Sequence, residues 1–496
     1  MSARVPVGGL AVVLTLTGVT AAATVSRPVG ALPADAAVAR PVQGATLVCP
    51  AAPPQSADLV TRTIVATSRP GEGSAALRAL GPTAPPPLRV DLSTAVHPVD
   101  LPPGLPLVVT ASGPASGGLV ATRSSRGIDG RDRGWSLDRC TAPRTDAWFV
   151  GLSTAQGQGA ALHVVNAEDA PAEISVRALT LHGPVSSAAA RGVRLAPGAS
   201  FDLPVEQLAP FEPVLAVEVV AARGRVASSI REYRGLGAPK PGGVDAVPEA
   251  ERAEPVVTVA GVPGVATGTL LDGSRVQHRL TVGVPGDTDA TVRVEVLDAD
   301  RRFVPVGLDA VPVAAGTVTS LDLTPALTGE RATVRVSSAE GVPLVAGVLV
   351  DEQAHFGDVH ETLHLGATPP LLGATVVADA QAAGADLDTF VTVTSPDTAT
   401  AATFEVAGHV FGVALPAGRA VTFKTHVASA TGGPLVVTPA PGSPPVYAAA
   451  VVEELGRNGP LLGGVAVSGG LADVALPPTS PDPTVGLVDG RRPPTP

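Results

Sequence analysis

The chain has 496 residues, enough for about three ordinary domains with a hydrophobic core each. Aromatic residues make up only 3%, and the 55 Gly and 51 Pro residues argue against long helices. The net charge of −11, without clustered Lys or Arg, excludes nucleic acid as a partner and argues against electrostatic docking on an anionic membrane.

Residues 1–26 carry the pattern of an export segment. No charge occurs between Arg4 and Arg27, the stretch Leu10–Leu16 is apolar, and Ala21–Ala23 offers small residues for cleavage. The stretch is also long enough to span a bilayer, although its Gly, Pro and Thr residues make it weakly apolar. A cleaved signal peptide and a retained transmembrane helix therefore stay open as alternatives. In either case we expect an exported chain, secreted or anchored in the cell membrane and facing outward, that touches the membrane only through this segment.

Both cysteines, Cys49 and Cys140, fall in segment 44–146, which follows a Pro- and Ala-rich spacer at 27–43. Because thiols are not kept reduced after export, we predict that they form a disulfide; two separate buried thiols are the alternative. A link across about 90 residues would stabilise the fold by roughly 4–5 kcal/mol through the lost entropy of the unfolded chain. The strand patterns of this N-terminal β segment are less regular than those that follow, and we expect it to pack onto the next domain.

The rest of the chain holds three copies of one unit, at 147–235, 255–353 and 373–470. Each copy has a Val-rich strand, an alternating strand pair, a Gly-containing turn and a closing hairpin; the turns are Leu195–Gly198, Val313–Gly316 and Leu415–Gly418. Some seven short strands per copy, with one face inward, predict an all-β fold of tandem immunoglobulin-like antiparallel sandwiches. A β-propeller is the alternative because its blades also repeat, but each copy is about twice as long as one four-stranded blade needs.

Three further segments are predicted to lie outside these cores. Residues 236–254 combine Gly and Pro with a short acidic run, which is typical of a linker. Residues 354–372 are interpreted as a His-containing connector between the second and third copies. Residues 471–496 are rich in Pro and poor in apolar residues, so we predict a disordered tail.

The sharpest chemical motif is His360-Glu-Thr-Leu-His364, which matches the zinc-protease signature His-Glu-x-x-His. On a helix this spacing puts both imidazoles on one face and lets Glu361 polarise a zinc-bound water, and His355 and Asp358 could add ligands. Gly and Pro flank the stretch and leave room for only one or two helical turns. We therefore interpret it as a connector without a metal site, and adventitious metal binding and a zinc metallohydrolase are the alternatives.

Other enzyme motifs are missing from the sequence. Neither Lys240 nor Lys424 stands in a P-loop, and the stretch Gly151–Ala155 lacks the second glycine of a nucleophile elbow. The loop Arg126–Arg133 is interpreted as a solvated, self-neutralising turn, with an arginine surface for an acidic partner as the alternative. We predict no catalytic residue, no cofactor-binding residue and no cofactor, and hence a protein that is not an enzyme.

One pattern resembles a known family. Cys140-Thr-Ala-Pro143 followed by Trp148-Phe-Val-Gly151 is similar to the actinobacterial exported proteins catalogued as domain of unknown function 5719, and the upstream Cys49-Pro50 and the later Asn166 fit the same pattern. Leu152 departs from it, since the family leads us to expect a second glycine there. The resemblance covers most of the chain beyond the export segment. It implies an envelope location and no activity, cofactor or catalytic residue.

These observations favour a non-catalytic cell-envelope or secreted protein whose sandwiches serve as a scaffold or interaction module. The expected partners are protein or glycan components of the envelope. A glycan-binding protein is the alternative, although sugar platforms usually use exposed aromatic side chains and the chain has only four Trp and Tyr residues: Trp135, Trp148, Tyr233 and Tyr447. A zinc metallohydrolase at Glu361 is the less favoured alternative.

Overall fold

The computed structural model describes the following residues: 38–52, 58–101, 103–130, 132–235, 243–265, 275–329, 331–354, 359–377, 388–406, 408–426, 435–456, 459–469 and 473–476. The export segment 1–26, His355, Asp358, and most of the spacer 27–43 and of the tail 471–496 lie outside the described residues. Within them, none of the helices has the length and apolar character needed to cross a membrane.

Four similar β-sandwiches follow one another along the chain, and segment 44–146 forms the first of them. After β1 (Val38–Pro41), the first sandwich contains β2 (Gly44–Cys49), β3 (Leu59–Thr67), β4 (Ser74–Ala79), β5 (Leu88–Asp91), β6 (Val96–Val99), β7 (Leu107–Ser112), β8 (Leu119–Gly127) and β9 (Gly134–Arg139). The second contains β10 (Asp146–Leu152), β11 (Gln158–Val165), β12 (Ala172–Thr180), β13 (Gly183–Ser186), β14 (Val193–Leu195), β15 (Ser200–Pro204), β16 (Leu215–Arg223), β17 (Ala227–Arg234) and β18 (Gly243–Val247).

The other two sandwiches have the same plan. The third contains β19 (Val256–Pro263), β20 (Arg275–Gly283), β21 (Ala290–Leu297), β22 (Arg302–Phe303), β23 (Val311–Val313), β24 (Val318–Asp322), β25 (Arg331–Ser338), β26 (Val345–Ala354) and β27 (Val359–Gly366). The fourth contains β28 (Thr375–Val377), β29 (Asp388–Ser395), β30 (Thr400–Val406), β31 (His409–Leu415), β32 (Arg419–His426), β33 (Leu435–Pro439), β34 (Tyr447–Gly456) and β35 (Gly459–Val467). A last strand, β36 (Asp473–Leu476), pairs with β1 in a separate two-stranded sheet. Short 3₁₀ helices span Pro114–Ser116, Ala188–Ala190, Val205–Gln207 and Thr324–Ala326.

Each sandwich pairs two antiparallel sheets, and the strand order is the same in all four. The first sheets are β2-β7-β4-β5, β10-β16-β12-β13, β19-β25-β21-β22 and β28-β33-β30-β31, and the second sheets are β6-β3-β8-β9, β15-β11-β17-β18, β24-β20-β26-β27 and β32-β29-β34-β35. Two additional strands, β14 and β23, pair with β12 and β21. The predicted all-β architecture of tandem antiparallel sandwiches is thus confirmed. The chain crosses between two sheets in every repeat, whereas a propeller blade is one small sheet.

Strand β12 shows how the sequence builds a sandwich core. Ile174, Val176 and Ala178 are buried, and the residues between them are partly exposed. The buried side chains pack in one cluster with Phe149 of β10 and Leu162 of β11, which lies in the opposite sheet. Burying one such aliphatic side chain stabilises the fold by about 1.5–3 kcal/mol relative to leaving it in water. The alternation predicted from the sequence therefore marks the inner face of the sheet correctly.

Every sandwich ends in an additional strand, and we call β9, β18, β27 and β35 the closing strands. The predicted linker 236–254 contains β18, and the predicted connector 354–372 contains β27, so neither segment is only a connection. Each closing strand pairs with the strand before it, such as β27 with β26. These segments resemble linkers in the sequence because Gly, Pro and charged residues surround them. Their burial comes from neighbouring sandwiches, which a local pattern does not reveal.

Within the compact unit formed by residues 41–472, the sandwiches contact one another in a closed ring. The first sheet of each sandwich packs on the second sheet of the next, and the fourth sandwich returns to the first. Three of these interfaces contain apolar clusters. Between the first and second sandwiches the cluster contains Val48, Val108, Val165 and Ala227. Between the second and third it contains Trp148, Val150 and Val348, and between the fourth and first it contains Val376, Val436, Ile64 and Val120. Between the third and fourth sandwiches, the hydroxyl groups of Thr333 and Thr394 lie 2.7 Å apart and share a hydrogen bond.

Candidate functional site

The closing strands come together where the four sandwiches meet. β9 contacts β18 and β35, and β27 contacts the same two strands, so β18 and β35 each contact both β9 and β27. The backbones approach closely enough for the N–H of Val244 to donate to the carbonyl of Arg133 at 2.9 Å. Charged groups of these strands, among them Asp245 and Glu361, are buried there. Because the zinc-protease motif lies on β27, this centre is the first candidate for a functional site.

The motif His360–His364 lies on the extended strand β27 and not on a helix. Four residues of extended chain span about 13 Å, so the two imidazoles cannot bind one zinc ion in the way the signature requires. His360 Nδ1 lies 3.2 Å from Asp351 Oδ1, while His364 Nε2 lies 3.0 Å from Glu232 Oε2. The helical zinc site considered from the sequence is therefore wrong. The two additional ligands considered there, His355 and Asp358, lie outside the described residues.

Glu361, the candidate catalytic glutamate, instead joins three closing strands. Its carboxylate accepts hydrogen bonds from Arg133 Nη1 at 2.9 Å, from the N–H of Leu462 at 3.0 Å and from the N–H of Trp135 at 3.3 Å. Arg133 also donates to the carbonyl of Pro460 at 2.6 Å. Burial raises the pKa of Glu361 to about 7 against the opposing effect of Arg133. The interpretation of the Arg126–Arg133 loop as a solvated turn is wrong for Arg133, whose side chain is only 5% exposed.

A second buried polar cluster surrounds Glu232 of β17. Its carboxylate accepts hydrogen bonds from His364 Nε2, from Arg234 Nε at 2.9 Å and from the N–H of Ser153 at 2.9 Å. Burial by itself would raise the pKa of Glu232, but Arg234, His364 and the hydrogen bonds outweigh it and hold the pKa at about 2. Next to it, Asp245 accepts the N–H of His364 at 2.9 Å, and burial raises the pKa of Asp245 well above its ordinary value. These groups fix β17, β18 and β27 to one another.

The disulfide predicted from the sequence is present. Cys49, at the end of β2, is bonded to Cys140, which follows β9, and their Cα atoms are 4.1 Å apart. Both residues are buried, and hydrogen bonds between Val48 and Thr141 run beside the bond. The disulfide therefore connects the first sheet of the first sandwich to the end of its closing strand.

The aromatic residues considered for sugar binding are largely inside the protein. Trp135 is fully buried and its indole N–H donates to Ser124 Oγ at 3.0 Å. Trp148 is buried between the second and third sandwiches, and Tyr233 and Tyr447 are half-buried. Neither tryptophan offers an exposed ring face on which a sugar could stack.

A cavity of about 110 Å³ lies at the carboxyl ends of the closing strands β9, β18 and β35. Its apolar wall includes Phe149, Val165 and Val247, and its polar wall includes His163 and Glu249. It is set between the first, second and fourth sandwiches, so no single repeat could form it. For this reason sequence analysis of the separate repeats missed it, and a lone His163 in an alternating strand gave no signal.

Three residues of the cavity wall have a buried side-chain atom that forms no hydrogen bond with the described part of the chain: His163 Nε2, Ser228 Oγ and Glu249 Oε2. The other imidazole nitrogen of His163 bonds to Asp202 Oδ1 at 2.5 Å, and the other carboxylate oxygen of Glu249 accepts from Arg144 Nη1 at 2.5 Å. Burial raises the pKa of Glu249 to about 7, against the opposing effect of Arg144.

Comparison with known proteins assigns a family but no activity. Residues 93–427, about two thirds of the chain, match the Family of unknown function (DUF5719). No curated protein matches the chain. Two solved structures are weakly similar. The first is a bacterial ice-binding adhesin studied for host cell surface retention; it is 11% identical, the match covers 72% of this chain and 91% of that chain, and the TM-score is 0.11. The second is a Ca²⁺-stabilized adhesin that helps an Antarctic bacterium bind ice; it is 12% identical, the match covers 86% of this chain and 100% of that chain, and the TM-score is 0.11. With TM-scores this low, neither adhesin informs the function of this chain. The family match alone identifies the protein: the chain belongs to the DUF5719 family.

Proposed function

We propose that this protein is a non-catalytic scaffold of the cell envelope, or of the secreted fraction, whose sandwiches present their outer surfaces to other envelope components. The observation that carries the proposal is the closed ring of contacts among the four sandwiches. A ring in which every sandwich has two neighbours is a rigid platform, because no sandwich can move without breaking two interfaces.

The use of the central polar groups supports this role. Glu361 is paired with Arg133 and Glu232 with His364, and the two carboxylates also accept backbone N–H groups of Trp135, Leu462 and Ser153. Such groups stabilise one arrangement of strands. A hydrolase would need instead an open position beside its catalytic glutamate.

Export is the second part of the proposal. The apolar N-terminal stretch ending near Ser26 has the composition of a signal peptide or anchor. The buried Cys49–Cys140 disulfide fits an oxidising compartment. We expect non-reducing mass spectrometry of protein purified from the envelope or the medium to find this cross-link, and to find it in the exported fraction only. Reduced thiols in the exported protein, or the mature chain in the cytoplasm, would contradict export.

The proposal that the protein has no catalytic role is tested with Glu361→Gln in protein purified without an affinity tag. Metal content is measured by mass spectrometry, and hydrolysis is assayed on peptides and wall fragments. We expect the substitution to lower the melting temperature and to leave the metal content and the hydrolysis background unchanged. Stoichiometric zinc together with a hydrolytic activity that the substitution abolishes would replace the scaffold with a metallohydrolase.

The proposed scaffold role is tested in the native envelope by crosslinking from residues on the outer surface of the protein. Photo-crosslinking amino acids are placed at exposed positions such as Val306 and Phe211 without adding a cysteine. They should capture the same envelope component in repeated experiments. A crosslinker at the buried Val259 serves as the matched control and should capture nothing. Equal capture from buried and exposed positions, or no reproducible component from any exposed position, would count against the scaffold role.

A further inference from the structure

The strand β31 (His409–Leu415) is the outermost strand of the first sheet in the fourth sandwich. The sheet order is β28-β33-β30-β31, and within the part of the chain that the structure describes no strand pairs with the other side of β31. The strand is seven residues long, His-Val-Phe-Gly-Val-Ala-Leu, and contains no Asp, Glu, Lys, Arg or Pro. An exposed edge strand of this kind is a template for pairing with another chain.

The other three sandwiches protect the corresponding edge. Their first sheets end in β5, β13 and β22, which have four, four and two residues. β5 contains Arg89 and Asp91, β13 contains Pro184, and β22 begins at Arg302. Short strands, charged side chains and prolines are common means by which proteins prevent pairing between sheet edges. Of the four corresponding strands, β31 alone has none of them.

Apolar side chains of β31 are exposed at this edge. Val410 is 65% exposed, and Phe411 is 42% exposed although its ring stacks on the buried Phe404 with centroids 5.8 Å apart. The ring centroid of Phe423, which belongs to the opposite sheet, lies 6.2 Å from that of Phe411. The three rings close this side of the sandwich core. A further strand beside β31 would cover the exposed part of Phe411.

The pairing of β30 with β31 decides which backbone groups face the edge. Val406 pairs with His409, and only two residues lie between them in the sequence. A pair next to such a short loop exchanges hydrogen bonds, and along an antiparallel ladder these pairs alternate with pairs whose N–H and C=O groups point away. The backbone groups of Val410, Gly412 and Ala414 therefore point to the free edge.

We infer that β31 pairs in antiparallel orientation with β31 of a second copy of this chain, around a two-fold axis at Gly412. In this register Gly412 faces itself, Val410 faces Ala414 of the second copy, and Phe411 faces Val413 of the second copy. The N–H and C=O groups that point to the edge then meet one another and exchange hydrogen bonds. No heavy atom of the described fold lies within 4 Å of the Cβ position at Gly412, so the axis is sterically open.

The composition of β31 favours a copy of itself over a charged partner. The pairs that face each other across the axis are apolar on both sides of the sheet, and an aromatic residue opposite a β-branched one, as Phe411 is opposite Val413, is a stabilising cross-strand pair. A charged strand would find no opposite charge between His409 and Leu415. Seven residues of strand extend over only about 23 Å, less than a permanent interface needs, so we expect a reversible dimer in the micromolar range.

The dimer leaves the ring of sandwiches intact and does not depend on the scaffold role. β28 lies at the opposite end of the same sheet, and Val376 of β28 is the residue that packs on Ile64 of the first sandwich. A second copy at β31 would therefore extend the sheet outward and join two rings.

The test places charges at the two positions that face each other and measures self-association of the exported chain by sedimentation equilibrium. Val410→Lys with Ala414→Lys puts like charges opposite each other, whereas Val410→Lys with Ala414→Glu puts opposite charges there. We expect the Lys/Lys variant to dimerise at least about tenfold more weakly than the Lys/Glu variant. Val306→Lys, at an exposed valine of the third sandwich, is the matched control and should dimerise like the wild type.

Gly412→Pro separates dimerisation from folding. An edge strand tolerates proline where the N–H points away from the sheet, so the melting temperature of the monomer should change little while the dimer is lost. Equal dimerisation of the Lys/Lys and Lys/Glu variants would overturn the proposed register. A dimer that all three β31 variants leave unchanged would place the contact on another surface. A wild type that stays monomeric throughout the micromolar range would also overturn the inference, and would mean that a different strand, of this chain or of another protein, covers β31.

Discussion

At the scale of residues, the protein buries charge mainly to fix strands of different sandwiches. Glu361 on β27 meets Arg133 before β9 and the backbone of β35, so one carboxylate contacts three repeats. Burying two charges costs several kcal/mol of hydration, which the pair recovers only through good geometry and additional hydrogen bonds. Such a pair adds little net stability, but removing one partner leaves the other buried and uncompensated.

We therefore predict that Glu361→Ala lowers the free energy of unfolding by about 3–5 kcal/mol, because it leaves the charge of Arg133 without its carboxylate and two backbone N–H groups without their acceptor. Denaturant titration measures the change. Glu173→Ala, which removes an exposed pair with Arg194, is the control and should cost less than about 1 kcal/mol. Equal losses for the two variants would mean that the central pair does not join the repeats.

The acid limit of stability should depend on Glu232. Its pKa in the folded protein is about 2, below the ordinary value of 4.5. A lowered carboxyl pKa adds stability above the ordinary pKa, and this contribution disappears as the pH falls from about 4.5 towards 2. We expect the unfolding free energy of the wild type to fall more steeply over this range than that of Glu232→Gln. Parallel pH profiles measured by denaturant titration would show that Glu232 has an ordinary pKa.

At the scale of elements, the closing strands lie close together because small residues let their backbones approach. Gly134, at the start of β9, has φ +139, and a Cβ there would lie 2.3 Å from the carbonyl oxygen of Val244. Any side chain would push β9 away from β18. Gly183 in the hairpin β12–β13 has nearly the same backbone, with φ +131, but open space around it.

These two glycines allow a matched comparison. Gly134→Ala and Gly183→Ala both force alanine into a backbone conformation that costs about 1–3 kcal/mol. Only Gly134→Ala adds a clash between sandwiches, so we predict that it destabilises the protein by at least about 2 kcal/mol more than Gly183→Ala. Thermal and denaturant unfolding of both variants measure the difference. Equal destabilisation would show that β9 and β18 do not approach as closely as described.

At the scale of the whole molecule, the contact between the fourth and first sandwiches closes the ring of residues 41–472. Val376 of β28 is buried in a cluster with Ile64 and Val120 of the first sandwich. These residues are more than 250 positions apart in the sequence, as the numbering shows. Such a contact gives each terminal sandwich a second neighbour and makes their unfolding depend on each other.

We predict that Val376→Asp opens this contact and lowers hydrogen-exchange protection in β3 and β8 as well as in the fourth sandwich. The reason is that an unpaired carboxylate in an apolar interface costs several kcal/mol. Val410→Asp, on an exposed position of the same sheet, is the control and should leave the protection of β3 and β8 unchanged. Protection that falls only in the fourth sandwich would indicate that the ring is open in solution.

The sequence determined the parts of the fold that depend on local pattern. Alternating residues such as Ile174 and Val176 specify which face of a strand is buried, and repeated turns at Gly198, Gly316 and Gly418 mark the copies. Two cysteines in a chain with an export-like N-terminus sufficed to predict the bond between Cys49 and Cys140. These features could be read because each arises from neighbours in sequence or from a single pair of residues.

Only the tertiary structure decided the roles of residues that act between repeats. The strands β18 and β27 looked like linkers because they also contact the closing strands of other sandwiches, which no local pattern reveals, although each pairs with the strand before it in its own sandwich. His360–His364 looked like a zinc motif because sequence spacing does not distinguish a helix turn from about 13 Å of strand. The first sandwich was not recognised as a copy, since its sequence pattern is irregular while its strand order is the same. The cavity with His163 and Glu249 exists only where three sandwiches meet. Long-range packing sets these features, and no local pattern encodes it.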